Sequence, residues 1–413
     1  MRLRSATAVF PPPRSCQRPA LTTSGTTTSS GQPVRLGPRP LALYLRIAAM
    51  AGPAGDRPAP DERFLAGLRA YWAHPYRRRP PPRRVHWQEG SARLVDFGGS
   101  GLPVLVLPSL INRADVLDLL PGRSLLGHLA GAGLRPMLLD WGVPAGGELQ
   151  MTVADHVHGR AAAALEAVIA ATGQRPVLLG YCLGGLLALA LAAARRDDLA
   201  GLALLATPWS FRLAPLPAAP PHALTASLIA TLGHAPPGLL QTFFAGFDPL
   251  AVVRKYARFA SLDPADPEAE AFVAAEDWVN DGIPLAGPVA QECLLGWYGA
   301  DLPGRGRWAP GGVPVRPERM ALPTLVAIPT RDRIVPAASA LALARRLPQA
   351  AVLHPQAGHV SMVAGARAEA ELWRPLTEWL RRIAPSPVRR SMPAPSPAAP
   401  TGRRAVRALR PIG

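Results

Sequence analysis

Gly180-Tyr181-Cys182-Leu183-Gly184 lies where a short apolar run, Val177 to Leu179, gives way to an Ala/Leu-rich stretch that reaches Arg195. A strand that turns at once into a helix through flanking glycines leaves the chain few choices. The turn is sharp, side chains at the glycine positions would collide with neighbouring elements, and the central residue is pushed out of the bend. The surroundings repeat the same rhythm. Leu102 to Leu107, Pro136 to Asp140, Val177 to Leu179 and Leu202 to Leu205 read as strands. Ser124 to Ala130, Val153 to Ala171 and Leu183 to Arg195 read as the helices between them. Strands alternating with helices predict parallel βαβ units in a doubly wound sheet.

The rhythm breaks from Thr207 to Met320, which is rich in prolines and irregular helical fragments. It resumes with strands at Thr324 to Ile328 and Ala351 to Leu353, a helix at Ala337 to Leu347 and a last helix ending near Arg382. An insertion of roughly 110 residues between two sheet strands is too long for a loop and predicts a cap over the site. The domain plan is therefore a basic disordered extension over 1–50 and a helical segment over 51–91. A first core half follows over 92–206, then the cap over 207–320, a second core half over 321–383 and a basic disordered tail over 384–413.

Charge would mislead if read from the total. The net charge is +17, but residues 1–50 hold seven Arg and residues 384–413 hold six, with no acid in either. What remains between them is nearly balanced, so a nucleic-acid partner is not expected. Tails of this composition bury too little apolar surface to order themselves. A chain start at Met50 is the simpler reading of residues 1–49. Three cysteines, Cys16, Cys182 and Cys293, cannot form a disulfide framework and suit a reducing, cytoplasmic compartment. Pro176 to Ala194 is uncharged, but its glycines and its strand-turn-helix pattern argue against a membrane span.

The turn at Cys182 has the pattern of a nucleophile elbow, and the helix N-terminus behind it favours negative charge on sulfur. Triad members in such folds follow in the order nucleophile, acid, histidine. Asp332 follows the strand that starts at Thr324, and His359 in Gly358-His359-Val360 follows the next one. Singly, Asp332 could be a helix cap and His359 a surface residue; together, each at the carboxyl end of a strand, they predict a Cys182-Asp332-His359 triad in an α/β-hydrolase fold. The oxyanion hole is expected from the backbone N–H of Leu183 and a second N–H near Ser109 and Leu110. No metal-ligand cluster or dinucleotide fingerprint stands out, so neither a metal nor a bound cofactor is expected.

These residues resemble a known family. Pro108-Ser109-Leu110-Ile111-Asn112-Arg113 with Val116 to Leu119, Asp140-Trp141-Gly142 and the box from Gly180 to Gly185 are similar to motifs of the polyhydroxyalkanoate (PHA) synthases, closest to the shorter two-subunit classes. So are Trp278 and Asp281 with Gly287-Pro288, Asp332-Arg333-Ile334-Val335-Pro336 and Gly358-His359-Val360. Val279 stands where the family has Asn, and Arg333 where it has His; neither belongs to the triad. The resemblance implies a capped Cys-Asp-His enzyme that joins (R)-3-hydroxyacyl units from coenzyme A thioesters into polyester, working in the cytoplasm or at PHA granules. It also implies a homodimer and leaves open a second synthase subunit. Two other functions fit the same residues: a cysteine-dependent hydrolase of thioesters or PHA oligomers, and a granule-associated binding protein with an unused triad.

Overall fold

The computed structural model describes residues 35, 37–51, 62–213, 222–384 and 387. The expectations of disorder in residues 1–34 and 388–413 lie outside the described residues. The first helices are α1 (Leu41–Ala51) and α2 (Glu62–Ala73). Eight strands then build the main sheet: β1 (Arg84–Glu89), β2 (Ala92–Asp96), β3 (Pro103–Leu107), β4 (Arg135–Asp140), β5 (Val177–Tyr181), β6 (Gly201–Leu205), β7 (Thr324–Ala327) and β8 (Ala350–Leu353). Their spatial order is β1-β2-β4-β3-β5-β6-β7-β8. Strands β1 and β2 are antiparallel to their neighbours, and every pairing from β4 to β8 is parallel.

The central strands are apolar runs rather than alternating ones, because helices cover both faces. Every residue of β3, β5, β6 and β7 is buried. Helices α3 (Leu125–Gly131), α4 (Ala162–Thr172) and α5 (Leu183–Arg195) follow β3, β4 and β5. Ser124 caps α3 by accepting the Gly127 N–H at 2.8 Å. Residues 183–192 of α5 are all buried, as expected of a helix that is apolar all round and lies in the core.

Among its described residues the stretch between β6 and β7, the segment expected to be a cap, adds no strand to the main sheet. Its helices are α6 (His222–Leu232), α7 (Pro237–Ala245), α8 (Ala251–Phe259), α9 (Pro267–Asn280) and α10 (Gly287–Gln291). Asp266 caps α9 through the Glu268 N–H, and Pro267 begins it, where a missing N–H costs nothing.

Two expectations need correction. Residues 51–91 are not helical throughout: 84–89 form β1, paired with β2 through a turn in which Gly90 takes φ +58°. This edge hairpin is half solvated and polar, so it carries no apolar period to read. Residues 35 and 37–51 are not a disordered extension. Tyr44 and Ala48, one helical turn apart on α1, are buried in a second core with Phe64, Leu68, Tyr71, Tyr256, Phe259 and Val273. That core joins α1 and α2 to the cap helices α8 and α9, with Phe259 stacked on Phe272 at 4.2 Å and Tyr71 edge-on to Tyr256 at 5.5 Å. An Ala/Leu-rich helix among prolines hid its buried stripe because the partner surface is more than 200 residues away.

Tyr44→Ala should therefore destabilise the protein by about 3 kcal/mol, the typical cost of emptying an aromatic core site. Thermal or urea unfolding would show it, and a variant as stable as the parent would return this helix to the status of a dispensable tail.

Candidate active site

Cys182 ends β5 and begins α5 with φ 56° and ψ −126°, a backbone conformation that side chains rarely adopt. Such strain costs about 1–3 kcal/mol and persists only where the surroundings impose it. Here the Cys182 N–H donates to Leu205 O at 2.9 Å, and its carbonyl accepts the Gly185 N–H at 3.0 Å. The flanking glycines are obligatory for space. A Cβ at Gly180 would lie 2.5 Å from Gly185 Cα, and one at Gly184 would lie 2.1 Å from Leu107 O.

The loops after β7 and β8 bring the other two residues to it. The Asp332 side chain is fully buried; its Oδ1 accepts the N–H groups of Ile334 (2.8 Å) and Val335 (2.9 Å), while Oδ2 lies 2.7 Å from His359 Nδ1. With Nδ1 bonded to the carboxylate, Nε2 is the nitrogen left free of it, and His359 and Cys182 line the same cavity. Tyr181, the residue before the cysteine, steadies the histidine: its hydroxyl donates to His359 O at 3.2 Å and its ring lies 5.2 Å from the imidazole. The sequence pattern shows Tyr181 only as the variable position of the box, so this contact was not legible there.

Burial disfavours a charged His359, but Asp332 and Cys182 outweigh it and raise its pKa well above the ordinary value. Burial first, then Cys182 and Asp332, pushes the Tyr181 phenol well up, so it stays neutral and donates.

The loop after β3 is pinned by Trp141 Nε1, which donates to Pro108 O at 3.1 Å. Ser109 Oγ accepts the Ile111 N–H at 3.2 Å, which occupies that amide. Ser109 and Leu183 both line cavities that reach Cys182, whereas Leu110 is buried and faces a smaller cavity beside Trp141. Asp281 does not touch His359; it pairs with Arg113 at 2.6 Å, and Trp278 Nε1 donates to Arg113 O at 2.7 Å. Of the two departures from the resembled motifs, Val279 uses its carbonyl to accept from Gln241, and Arg333 pairs with Asp248 at the surface.

Two cavities meet at the cysteine. One is lined mainly by apolar residues of the inserted stretch, including Ile229, Leu239, Phe243 and Tyr298, together with Cys293. The other runs past His359, Asn112, Arg113, Gln241 and Trp278. Ile111, Leu240, Phe244 and Ile334 line both, so the thiol sits under the cap between two lobes of one mostly apolar space. Among the described residues no group of three or more His, Cys, Asp or Glu could hold a metal, and no helix is long and apolar enough to cross a membrane.

Comparison with known proteins bears on the fold and the family. A family profile described as alpha/beta hydrolase fold matches residues 155–366, about half of the chain. The poly(3-hydroxyalkanoate) polymerase subunit PhaC of Haloferax mediterranei is 27% identical over 315 residues, 72% of this chain and 63% of that protein. The subunit of the same name from Synechocystis is 27% identical over 323 residues, 72% of this chain and 84% of that one. The match thus spans less than two thirds of the Haloferax protein's length. The crystal structure of a Paleococcus ferrophilus monoacylglycerol lipase aligns with 71% of this chain and 99% of its own, at 19% identity and a TM-score of 0.47.

The raised pKa of His359 has a consequence for stability. A group whose pKa rises on folding adds stability that is complete below its unfolded value, about 6.5, and is lost as pH rises through the folded value. Between pH 6 and pH 9 the urea midpoint should fall in the parent protein, and fall less in His359→Gln. Parallel curves for the two would mean that this histidine gains no proton affinity on folding.

Proposed function

Because the chain belongs to the α/β-hydrolase fold family and, within it, to the polyhydroxyalkanoate synthases, we propose that it is an acyltransferase that polymerises (R)-3-hydroxyacyl units from coenzyme A thioesters. The observation that carries the reading is a cysteine, rather than a serine, at the strained elbow, on the same cavity as an imidazole whose Nδ1 lies 2.7 Å from a buried carboxylate.

The chemistry follows from these atoms. The Cys182 thiolate adds to the thioester carbonyl, and the C–S bond to coenzyme A breaks. The departing thiolate takes a proton from the His359 imidazolium. Thioester replaces thioester, so the acyl-enzyme forms without a large change in bond energy. In the second half His359 accepts the proton of a 3-hydroxyl as that oxygen attacks the acyl-cysteine, an ester forms, and Cys182 leaves as thiolate. Asp332 keeps the ring in the tautomer and orientation both halves need, and stabilises the imidazolium. The carbonyl oxygen's negative charge would be met by the N–H groups of Leu183 and of the Ser109–Leu110 stretch.

The same atoms could hydrolyse the acyl-enzyme if water reached it. What favours transfer is the apolar lining of both cavities under the cap, since excluding water preserves a reactive intermediate for the intended acceptor.

Incubated with 3-hydroxybutyryl-CoA, the protein should release coenzyme A together with polymer. Release with free acid alone would make it a hydrolase. Cys182→Ala should lose acyl transfer and covalent labelling by about 10³-fold or more, as triad members do, while unfolding at the parent's midpoint. Asp332→Asn should bind substrate normally but slow by about 10³–10⁴-fold for want of the right tautomer. Near-normal turnover in either variant, followed by a thiol assay, would overturn the assignment.

A further inference from the structure

The indole of Trp141 stands behind the active site rather than in it. Trp141 follows β4, which lies beside β3 in the sheet, and it is buried. It lines neither cavity that reaches Cys182; with Leu110 and His156 it walls the smaller one beside the loop after β3. Its Nε1 nevertheless reaches into that loop and donates to Pro108 O at 3.1 Å, a contact wholly buried. The residue is well held. Ser91 Oγ donates to its carbonyl at 2.8 Å, and the His156 ring stands edge-on to it at 5.5 Å, with His156 Nδ1 2.8 Å from Thr152 O. Gly142 then turns the chain away at φ +68°, where a Cβ would lie 2.2 Å from Ser91 O.

The carbonyl that Trp141 holds abuts the first turn of α5: a Cβ on Gly184 would lie 2.6 Å from Pro108 O. The N–H groups of a helix's first turn have no partner inside the helix, and that of Leu183 is an expected oxyanion donor. A loose carbonyl beside them would accept from them and take the place of a substrate oxygen. The indole gives it another donor. A second effect follows from peptide planarity. The Pro108–Ser109 peptide is trans, and a trans peptide points its C=O and the next N–H in opposite directions. Fixing Pro108 O therefore also fixes the Ser109 N–H and the course of the stretch expected to supply the second donor. The Ile111 N–H is taken up by Ser109 Oγ, whereas no hydrogen bond among the described residues takes up the N–H of Ser109 or of Leu110.

We propose that Trp141 is a positioning residue for the oxyanion hole. Its indole N–H keeps the Pro108 carbonyl from the first turn of α5 and holds the Ser109–Leu110 amides in place for a substrate oxygen at Cys182. The role rests on the reading of Cys182 as an elbow nucleophile, and it is the same whether the acyl acceptor is a hydroxyl or water. Trp141 touches no substrate. It acts on steps in which a carbonyl oxygen gains negative charge, as when the thiolate adds to an ester carbonyl and the leaving group departs. Alkylation of the same thiol, in which carbon gives up iodide and no oxygen gains charge, lies outside its reach.

The test compares these two reactions of Cys182 in the whole chain: acylation by p-nitrophenyl acetate, followed as a burst of p-nitrophenolate, and alkylation by iodoacetamide. Two variants are used. Trp141→Phe removes the N–H with part of the ring, and replacement of Trp141 by benzothienylalanine puts sulfur where the N–H was and keeps the ring shape. In both, the acylation rate constant should fall about 10- to 100-fold, as when a catalytic group is displaced by a fraction of its reach. The half-saturating ester concentration and the alkylation rate should not change. Unchanged acylation in both variants, equal losses in acylation and alkylation, or a loss confined to Trp141→Phe would overturn the proposal. A parent protein that is not acylated at Cys182 would overturn it together with the triad. If acylation slows as expected while 3-hydroxybutyryl-CoA gives no polymer, the positioning role stands and the acyltransferase reading falls.

Discussion

Everything in the site depends on how closely two backbones approach at the end of β5. Gly184 lies so near the end of β3 that a single added carbon would sit 2.1 Å from Leu107 O, and Gly180 packs against Gly185 just as tightly. That contact forces the chain to turn within one residue, and the residue that turns is Cys182, in a conformation costing about 1–3 kcal/mol. The cost is borne by the sheet, in which β3, β5, β6 and β7 are entirely buried and in register. A looser sheet would let the elbow relax, and the sulfur would no longer be held out toward the imidazole.

The second feature is the division of labour between two cores. The larger one holds the sheet and its helices, and so the relative positions of Cys182, Asp332 and His359. The smaller one, built on Tyr44, Phe64, Tyr71, Tyr256 and Phe259, holds helices from both ends of a long sequence separation against each other. Helix α9 belongs to that smaller core and ends beside Trp278, a wall of the cavity that leads to Cys182. The shape of the cavity therefore follows from packing remote from the reacting atoms. Hydrogen bonding links the two: Trp278 donates to the carbonyl of Arg113, and Arg113 lies in the loop that leaves β3.

How much of this was legible in the sequence varies with the range of the forces involved. The elbow, the alternation of strands and helices, and the acid and histidine at successive strand ends are local patterns, each enforced by backbone sterics or by burial on both faces of a sheet. Their bounds agree with the structure to within a few residues, as at Leu183–Arg195. The edge hairpin β1–β2 was missed because a half-solvated strand has no strong apolar period. Helix α1 was missed because composition alone made it resemble a disordered tail. Two apolar residues spaced four apart mean little until a partner surface is known.

The sequence by itself determined the class of fold and which three residue types stand at the ends of its strands, because strand, helix and sharp turn are decided within ten or twenty residues. It did not determine that the Tyr181 hydroxyl supports His359, that Asp281 pairs with Arg113, or that Arg35 anchors an N-terminal segment to Asp277. Those are contacts between groups up to 242 positions apart. Only the tertiary structure decides them, since a hydrogen bond or ion pair depends on direction and on distances of a few tenths of an ångström, which the fold imposes and a residue pattern does not encode.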